Sequence, residues 1–114
     1  MFIYLYDREI KMKATLRKLS YEKLSWAANM LKIISHPVRL EVLELLETEE
    51  PLDVTTIRER LEVEVEQSML SHHLSKMKVN GILSSEKKGK FIYYSIAERR
   101  VLKIFDCIDS CDTI

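Results

Sequence analysis

With 114 residues, 46% of them hydrophobic and 32% charged, the chain has the size and composition of one compact domain, residues 1–114, and no room for a second core. Lysine plus arginine number 18 and aspartate plus glutamate number 18, so a zero formal net charge excludes any global pull toward nucleic acid or anionic lipid and leaves local charge to supply one. Two glycines and two prolines exclude a disordered linker or a collagen-like chain and argue against a many-stranded β-sandwich.

The apolar opening from Phe2 to Leu5 is short, follows no basic region and runs into Asp7 and Arg8, which fits neither a signal peptide nor a membrane span. Phe2, Leu5, Met12, Leu16 and Leu19 form one helical stripe, and Leu24, Ala27, Ala28, Leu31 and Ile34 form a second of shifted phase. Two helices with a break near Ser20 follow from that shift. Ser35-His36-Pro37 then stops one helix and starts another, because proline disfavours helix in the residue before it and suits the first helical position. The new helix is expected from Pro37 to about Glu47, burying Val42, Leu43 and Leu46 and exposing Glu41, Glu44 and Glu47.

Glu49-Glu50-Pro51 reads as a loop, after which Asp53 can cap a short helix carrying Val54, Ile57 and Leu61 at helical spacing. A brief turn through Glu62 to Val65 leads into a helix over 66–79, ended by Gly81 after Asn80. Two short helices joined by so tight a turn form a helix-turn-helix. From Ile82 the pattern becomes strand-like, with Lys88-Gly89 as the turn and Phe91 to Ile96 as the second strand of a hairpin spanning 82–96. A last helix is expected from about Glu98, with Val101, Ile104, Phe105 and Ile108 as its apolar seam. The fold class is therefore mainly α with a small β-hairpin wing, a winged helix-turn-helix.

Charge is segregated along this order. Residues 1–40 hold eight basic and three acidic side chains, 41–66 two and ten, 67–100 seven and two, and the tail from Val101 one and three. A basic surface can thus coexist with an acidic band.

On a wheel of 100° per residue, His73, Leu74 and Met77 fall within about 60° of Leu70 and form the inward face of the 66–79 helix. Ser68, Ser71, His72 and Ser75 fall opposite, between about 100° and 200°, with Lys76 and Lys78 on the flanks. Hydroxyls, an imidazole and the Gln67 amide can bond to base edges or phosphates without blocking close approach, and Gln67 is placed to make a two-point contact to adenine. Lys76, Lys78, Lys87, Lys88 and Lys90 would meet phosphates. Exposed serines are usually only solvated, and lysines beside a hairpin glycine usually serve solubility or guard an edge strand. Their coincidence on one helix-turn-helix is what favours DNA. His73, on the apolar face, reads as a core histidine.

The runs Leu31-Lys-Ile-Ile-Ser-His-Pro-Val-Arg-Leu-Glu-Val-Leu-Glu-Leu-Leu46, Gln67-Ser-Met-Leu-Ser-His-His-Leu-Ser-Lys-Met-Lys-Val-Asn-Gly-Ile-Leu83 and Gly89-Lys-Phe-Ile-Tyr-Tyr-Ser-Ile96 resemble the ArsR/SmtB family of bacterial transcriptional regulators over about residues 28–108. The resemblance implies a homodimeric winged-helix repressor, with the first and last helices at the dimer interface and DNA contacts at Gln67, Ser68, Ser71 and His72.

Many members of that family sense metals, and here the pattern departs. Aligned on Tyr94-Ser-Ile96, one common site falls on Glu98 and Arg100 with Cys111 and Ile114 from the partner chain, and arginine and isoleucine do not ligate metal. The other needs cysteines in the first helix of the helix-turn-helix, and Val54 to Leu61 holds none. Cys107 and Cys111, four apart and flanked by acids, are the remaining candidates for a thiophilic metal or a thiol sensor. Against that stand the small number of thiols and the packing role available to Cys111 at the edge of the seam. They are also too few and too close for a secreted disulfide framework, so a cytoplasmic protein without a membrane partner is expected.

The reading reached from sequence is a sequence-specific DNA-binding transcriptional regulator with no cofactor. Its partners are double-stranded DNA and a second copy of itself, and no small-molecule effector is specified. The alternatives are a winged-helix protein-interaction module using the acidic band, or a metal- or thiol-responsive sensor using Cys107 and Cys111. An enzyme is not expected: there is no glycine loop for phosphate and no nucleophile with a base and an orienting acid, and the adjacent His72 and His73 point about 100° apart on a helix.

Overall fold

The computed structural model describes residues 18–111. The expected opening helix from Phe2 lies almost wholly outside them; Leu19 alone is described, exposed and non-helical. Helix α1, Tyr21–Ile34, starts at the expected break, with the Ser20 hydroxyl accepting from the Lys23 amide at 3.1 Å. Its core face is Met30, Ile33 and Ile34, with Trp26 packed alongside. Leu24 and Leu31, placed by the sequence on the same stripe as Ile34, are 50% and 52% exposed. The helix carries two apolar faces, and only one serves its own core.

Helix α2, Pro37–Glu49, is capped by His36, whose Nδ1 accepts from the Val38 amide at 3.1 Å. Val42, Leu43 and Leu46 are fully buried as expected. Glu41 is not simply exposed as its spacing implies: it is half-buried, and its carboxylate accepts from the amides of Glu62 at 2.6 Å and Val63 at 3.4 Å. Nor is Glu50 a loop acid facing water, because it accepts from the Ile96 amide at 3.0 Å and from Arg99 at 2.6 Å.

Beyond it Leu52–Asp53 forms a short strand β1, where the sequence pattern shows no strand. Two residues are too few to show an alternating pattern, and the strand exists because Leu52 and Asp53 pair with Tyr94 and Tyr93. Helix α3, Val54–Arg60, is capped by Asp53 through the Thr56 amide, and α4, Gln67–Val79, ends at Asn80 and Gly81, the latter at φ +78°.

Strands β2, Leu83–Lys88, and β3, Phe91–Ile96, pair antiparallel from Leu83↔Ile96 to Lys88↔Phe91, giving the sheet order β1-β3-β2. The hairpin turn is Gly89-Lys90 rather than Lys88-Gly89, with Gly89 at φ +63°, a conformation glycine adopts without steric cost. After β3 the chain makes a 3₁₀ turn, Arg99–Leu102, and only then helix α5, Lys103–Asp109, so the last helix begins later than expected. Within the expected seam Val101 is buried, Ile104 and Phe105 are half-buried, and Ile108 is 49% exposed. No helix among the described residues is long and apolar enough to cross a membrane.

Candidate nucleic-acid interface

The inward side of α4 is fixed by apolar burial: Leu70, Leu74 and Met77 are fully buried and His73 nearly so. With that face anchored, helical geometry turns the other side outward. Gln67, Ser68, His72, Ser75, Lys76 and Lys78 are exposed, while Ser71 is half-buried, nearer the protein than its wheel position alone implies. Two exposed apolar side chains stand among them, Met69 at 50% and Val79 at 80%.

The turn ahead of α4, over 61–66, is held at both ends. Glu41 takes the Glu62 and Val63 amides from the α2 side, and Arg58 Nε donates to the Val65 carbonyl at 2.8 Å. These bonds satisfy backbone groups that no regular element pairs, and they set how α4 leaves α3.

A second brace lies behind α4. Arg39 donates through Nε to Nδ1 of His73 at 3.0 Å and through Nη1 to the Ile33 carbonyl at 2.7 Å, joining α2, α4 and the end of α1 in one half-buried side chain. The His36 ring lies 4.3 Å from the His73 ring, centroid to centroid, at a tilt of 48°. Burial holds the His73 pKa below 6.5, and the nearby charges of His36, Arg39 and His72 push the same way. The neutral ring with Nδ1 bare is the form that can accept from a permanently charged guanidinium. Sequence places His73 in the core correctly and misses its partner. Arg39, Glu41 and Arg58 are positioning residues whose only sequence signal is a polar side chain near an otherwise apolar helix face.

Lys87, Lys88 and Lys90 are exposed at the hairpin end. Lys88 Nζ stands 6.0 Å from the Tyr93 ring centre and Lys90 Nζ 5.6 Å from that of Phe91, so two of the three cations rest over aromatic faces.

Where the resemblance would put a metal, Arg100 grips Glu98 in a fork, with Nε and Nη2 donating to the two carboxylate oxygens at 2.8 and 2.7 Å. Those bonds hold the Glu98 carboxyl below its usual range. The same guanidinium lies 4.2 Å from the Trp26 ring centre. Cys107 and Cys111 are both exposed, but Cys111 lies beyond the end of α5, so regular helical geometry does not align the two thiols. Among the described residues no group of three His, Cys, Asp or Glu side chains is placed to hold a metal ion.

Comparison with known proteins agrees with this geometry. A family profile described as a helix-turn-helix domain matches residues 34–86. The chain is 34% identical over 88 residues to the uncharacterised helix-turn-helix-type transcriptional regulator MJ1325 of Methanocaldococcus jannaschii, covering 77% of this chain and 97% of that one. It is 37% identical over 84 residues to the transcriptional repressor PagR of Bacillus anthracis, covering 74% of this chain and 82% of that one. The crystal structure of PagR superposes with a TM-score of 0.67 at 35% identity, over 78% of this chain and 99% of that one. A homodimeric winged helix-turn-helix DNA-binding domain from Mycobacterium bovis shares the fold with a TM-score of 0.63 at 24% identity, over 81% of this chain and 85% of that one.

Proposed function

The chain belongs to the ArsR/SmtB family of winged helix-turn-helix transcriptional regulators, and we propose that it is a homodimeric repressor that lays α4 in the major groove of a near-palindromic operator. In this reading Gln67, Ser68, Ser71, His72 and Ser75 face base edges and nearby phosphates, and Lys76 and Lys78 hold the flanking backbone. Lys87, Lys88 and Lys90 bring the wing onto phosphates. The observation that carries the reading is the two-sidedness of α4: four side chains locked into the core and an opposite, mostly polar face turned toward solvent.

Four of the ten acids in the 41–66 band are tied up within the chain, which leaves the six exposed ones, Glu44, Glu47, Glu59, Glu62, Glu64 and Glu66, for the alternative interaction module. Glu41, Glu49, Glu50 and Asp53 are engaged within the chain, with a turn, with Arg60, with Arg99 and Ile96, and with the α3 cap. We take residues 1–114 as a single domain whose terminal helices pair two copies. The outward apolar residues Leu24 and Leu31 of α1 and Ile108 of α5 offer the surface for that pairing. Two copies so joined set their reading helices about one DNA turn apart, roughly 34 Å.

Polarisation assays with genomic fragments, at low and physiological salt, test the reading. Specific binding that survives physiological salt, by a protein sedimenting as a dimer, is the expected result. Absence of binding at both salt concentrations, or a monomer at micromolar concentration that grips a single half-site tightly, contradicts it.

A further inference from the structure

We infer that Met69 reads a thymine 5-methyl group and so contributes to operator choice; the inference rests on the reading of α4 as the major-groove helix. Met69 is the third residue of α4, in the N-terminal half that a helix-turn-helix presents to base edges. It is 50% exposed although the α4 core positions are already filled by Leu70, His73, Leu74 and Met77. On the helical wheel it falls about 20° from Lys76 and about 60° from His72, on a flank of the polar face as far from its centre as Gln67.

An apolar side chain there has nothing to gain from water. Thymine is the one base that presents a methyl group in the major groove, and apolar contact with that methyl is a direct means of recognising it. A thioether on an unbranched, adaptable stem can reach such a methyl without demanding one rotamer. The neighbouring hydroxyls, amide and imidazole read donors and acceptors, so Met69 adds the information they lack.

The test replaces each operator thymine in turn by uracil, which removes the methyl and leaves the hydrogen-bonding edge intact. The full chain is expected to lose about fourfold in affinity at one thymine per half-site, the scale of one buried methyl. Met69→Ala should bind the parent operator about that much more weakly and be indifferent to uracil at the same position. Met69→Leu should keep the methyl preference, which a merely structural effect of losing methionine would not do. An operator whose every uracil substitution leaves wild-type affinity unchanged overturns the inference, as does a uracil effect of equal size in wild type and Met69→Ala. Failure of the chain to prefer any fragment is a different result, which overturns the operator reading and this inference with it.

Discussion

Arg39 donates its Nε–H to Nδ1 of His73 across 3.0 Å, so the helix proposed to enter DNA is held from behind by a charged side chain of the helix before the helix-turn-helix. The same guanidinium reaches the Ile33 carbonyl, at the end of α1, whose second apolar face is the one proposed to meet a second copy. The brace therefore connects the proposed reading element to the element proposed to set the spacing between copies.

Removing it should cost stability rather than base recognition. His73→Ala is expected to destabilise the fold by about 2 to 4 kcal/mol, from a broken hydrogen bond, a half-buried guanidinium donor without its acceptor and a cavity. Arg39→Met should cost less. In a double-mutant cycle by urea denaturation the two substitutions should couple by about 0.5 to 3 kcal/mol. Additive effects would show that the bond contributes nothing of its own.

Because burial holds the His73 pKa below 6.5, the unfolded chain takes up a proton first as pH falls. Well above pH 6.5 the ring is neutral in both states and the contribution to stability is complete. It is lost progressively from pH 6.5 downward, by at most about 1.4 kcal/mol per unit, until the folded ring itself protonates. Comparing wild type with His73→Gln at pH 7.5 and 5.5 isolates this group from His36 and His72. Wild type should lose more stability than the variant over that interval, and equal losses would contradict the assignment.

His72 and His73 are adjacent, and the proposed function gives them opposite work. His72→Ala should leave the melting temperature within a degree or two of wild type, because the side chain is exposed and its ring contact, with His73 at 6.2 Å, lies at the surface. It should weaken operator binding by about 1 to 3 kcal/mol, the scale on which a side chain discriminates one base from another. A variant that unfolds instead would mean that α4 is rotated from the arrangement described.

This pair also shows how far sequence alone carries. Helical phase separates the buried from the exposed histidine, capping residues place the start of α3 and the end of α4, and β-branched and aromatic enrichment marks β3. What escapes are features made by distant residues: the two-residue strand β1 that exists only through Tyr93 and Tyr94, the Glu41 carboxylate closing a turn 21 residues away, and the Arg39–His73 bond. No local pattern encodes such pairings. The stripe on α1 misleads for a related reason, since a helix with two apolar faces shows more than one phase and periodicity does not say which face meets its own core.

Glu98 and Arg100 form a fork against Trp26 where the resemblance would place metal ligands. Titrating zinc, cobalt or cadmium into the purified protein should therefore leave operator affinity unchanged. Stoichiometric metal binding that weakens DNA binding and persists in Cys107→Ser and Cys111→Ser together would reveal a site elsewhere.

The wing lysines should act through charge alone. Lys88→Ala or Lys90→Ala is expected to weaken binding to all sequences alike and to make the salt slope shallower by roughly one unit for each phosphate left without its cation. A substitution that changed sequence preference without changing the slope would move that lysine from backbone to base.

Recovering and sequencing the genomic fragments that the purified chain enriches at physiological salt tests the central claim most directly. The expected result is a single near-palindromic motif with half-site centres about one helical turn apart, roughly 34 Å, whose enrichment is lost with His72→Ala and Gln67→Ala. Recovery of fragments with no shared motif, with binding that simply fades as salt rises, would contradict it.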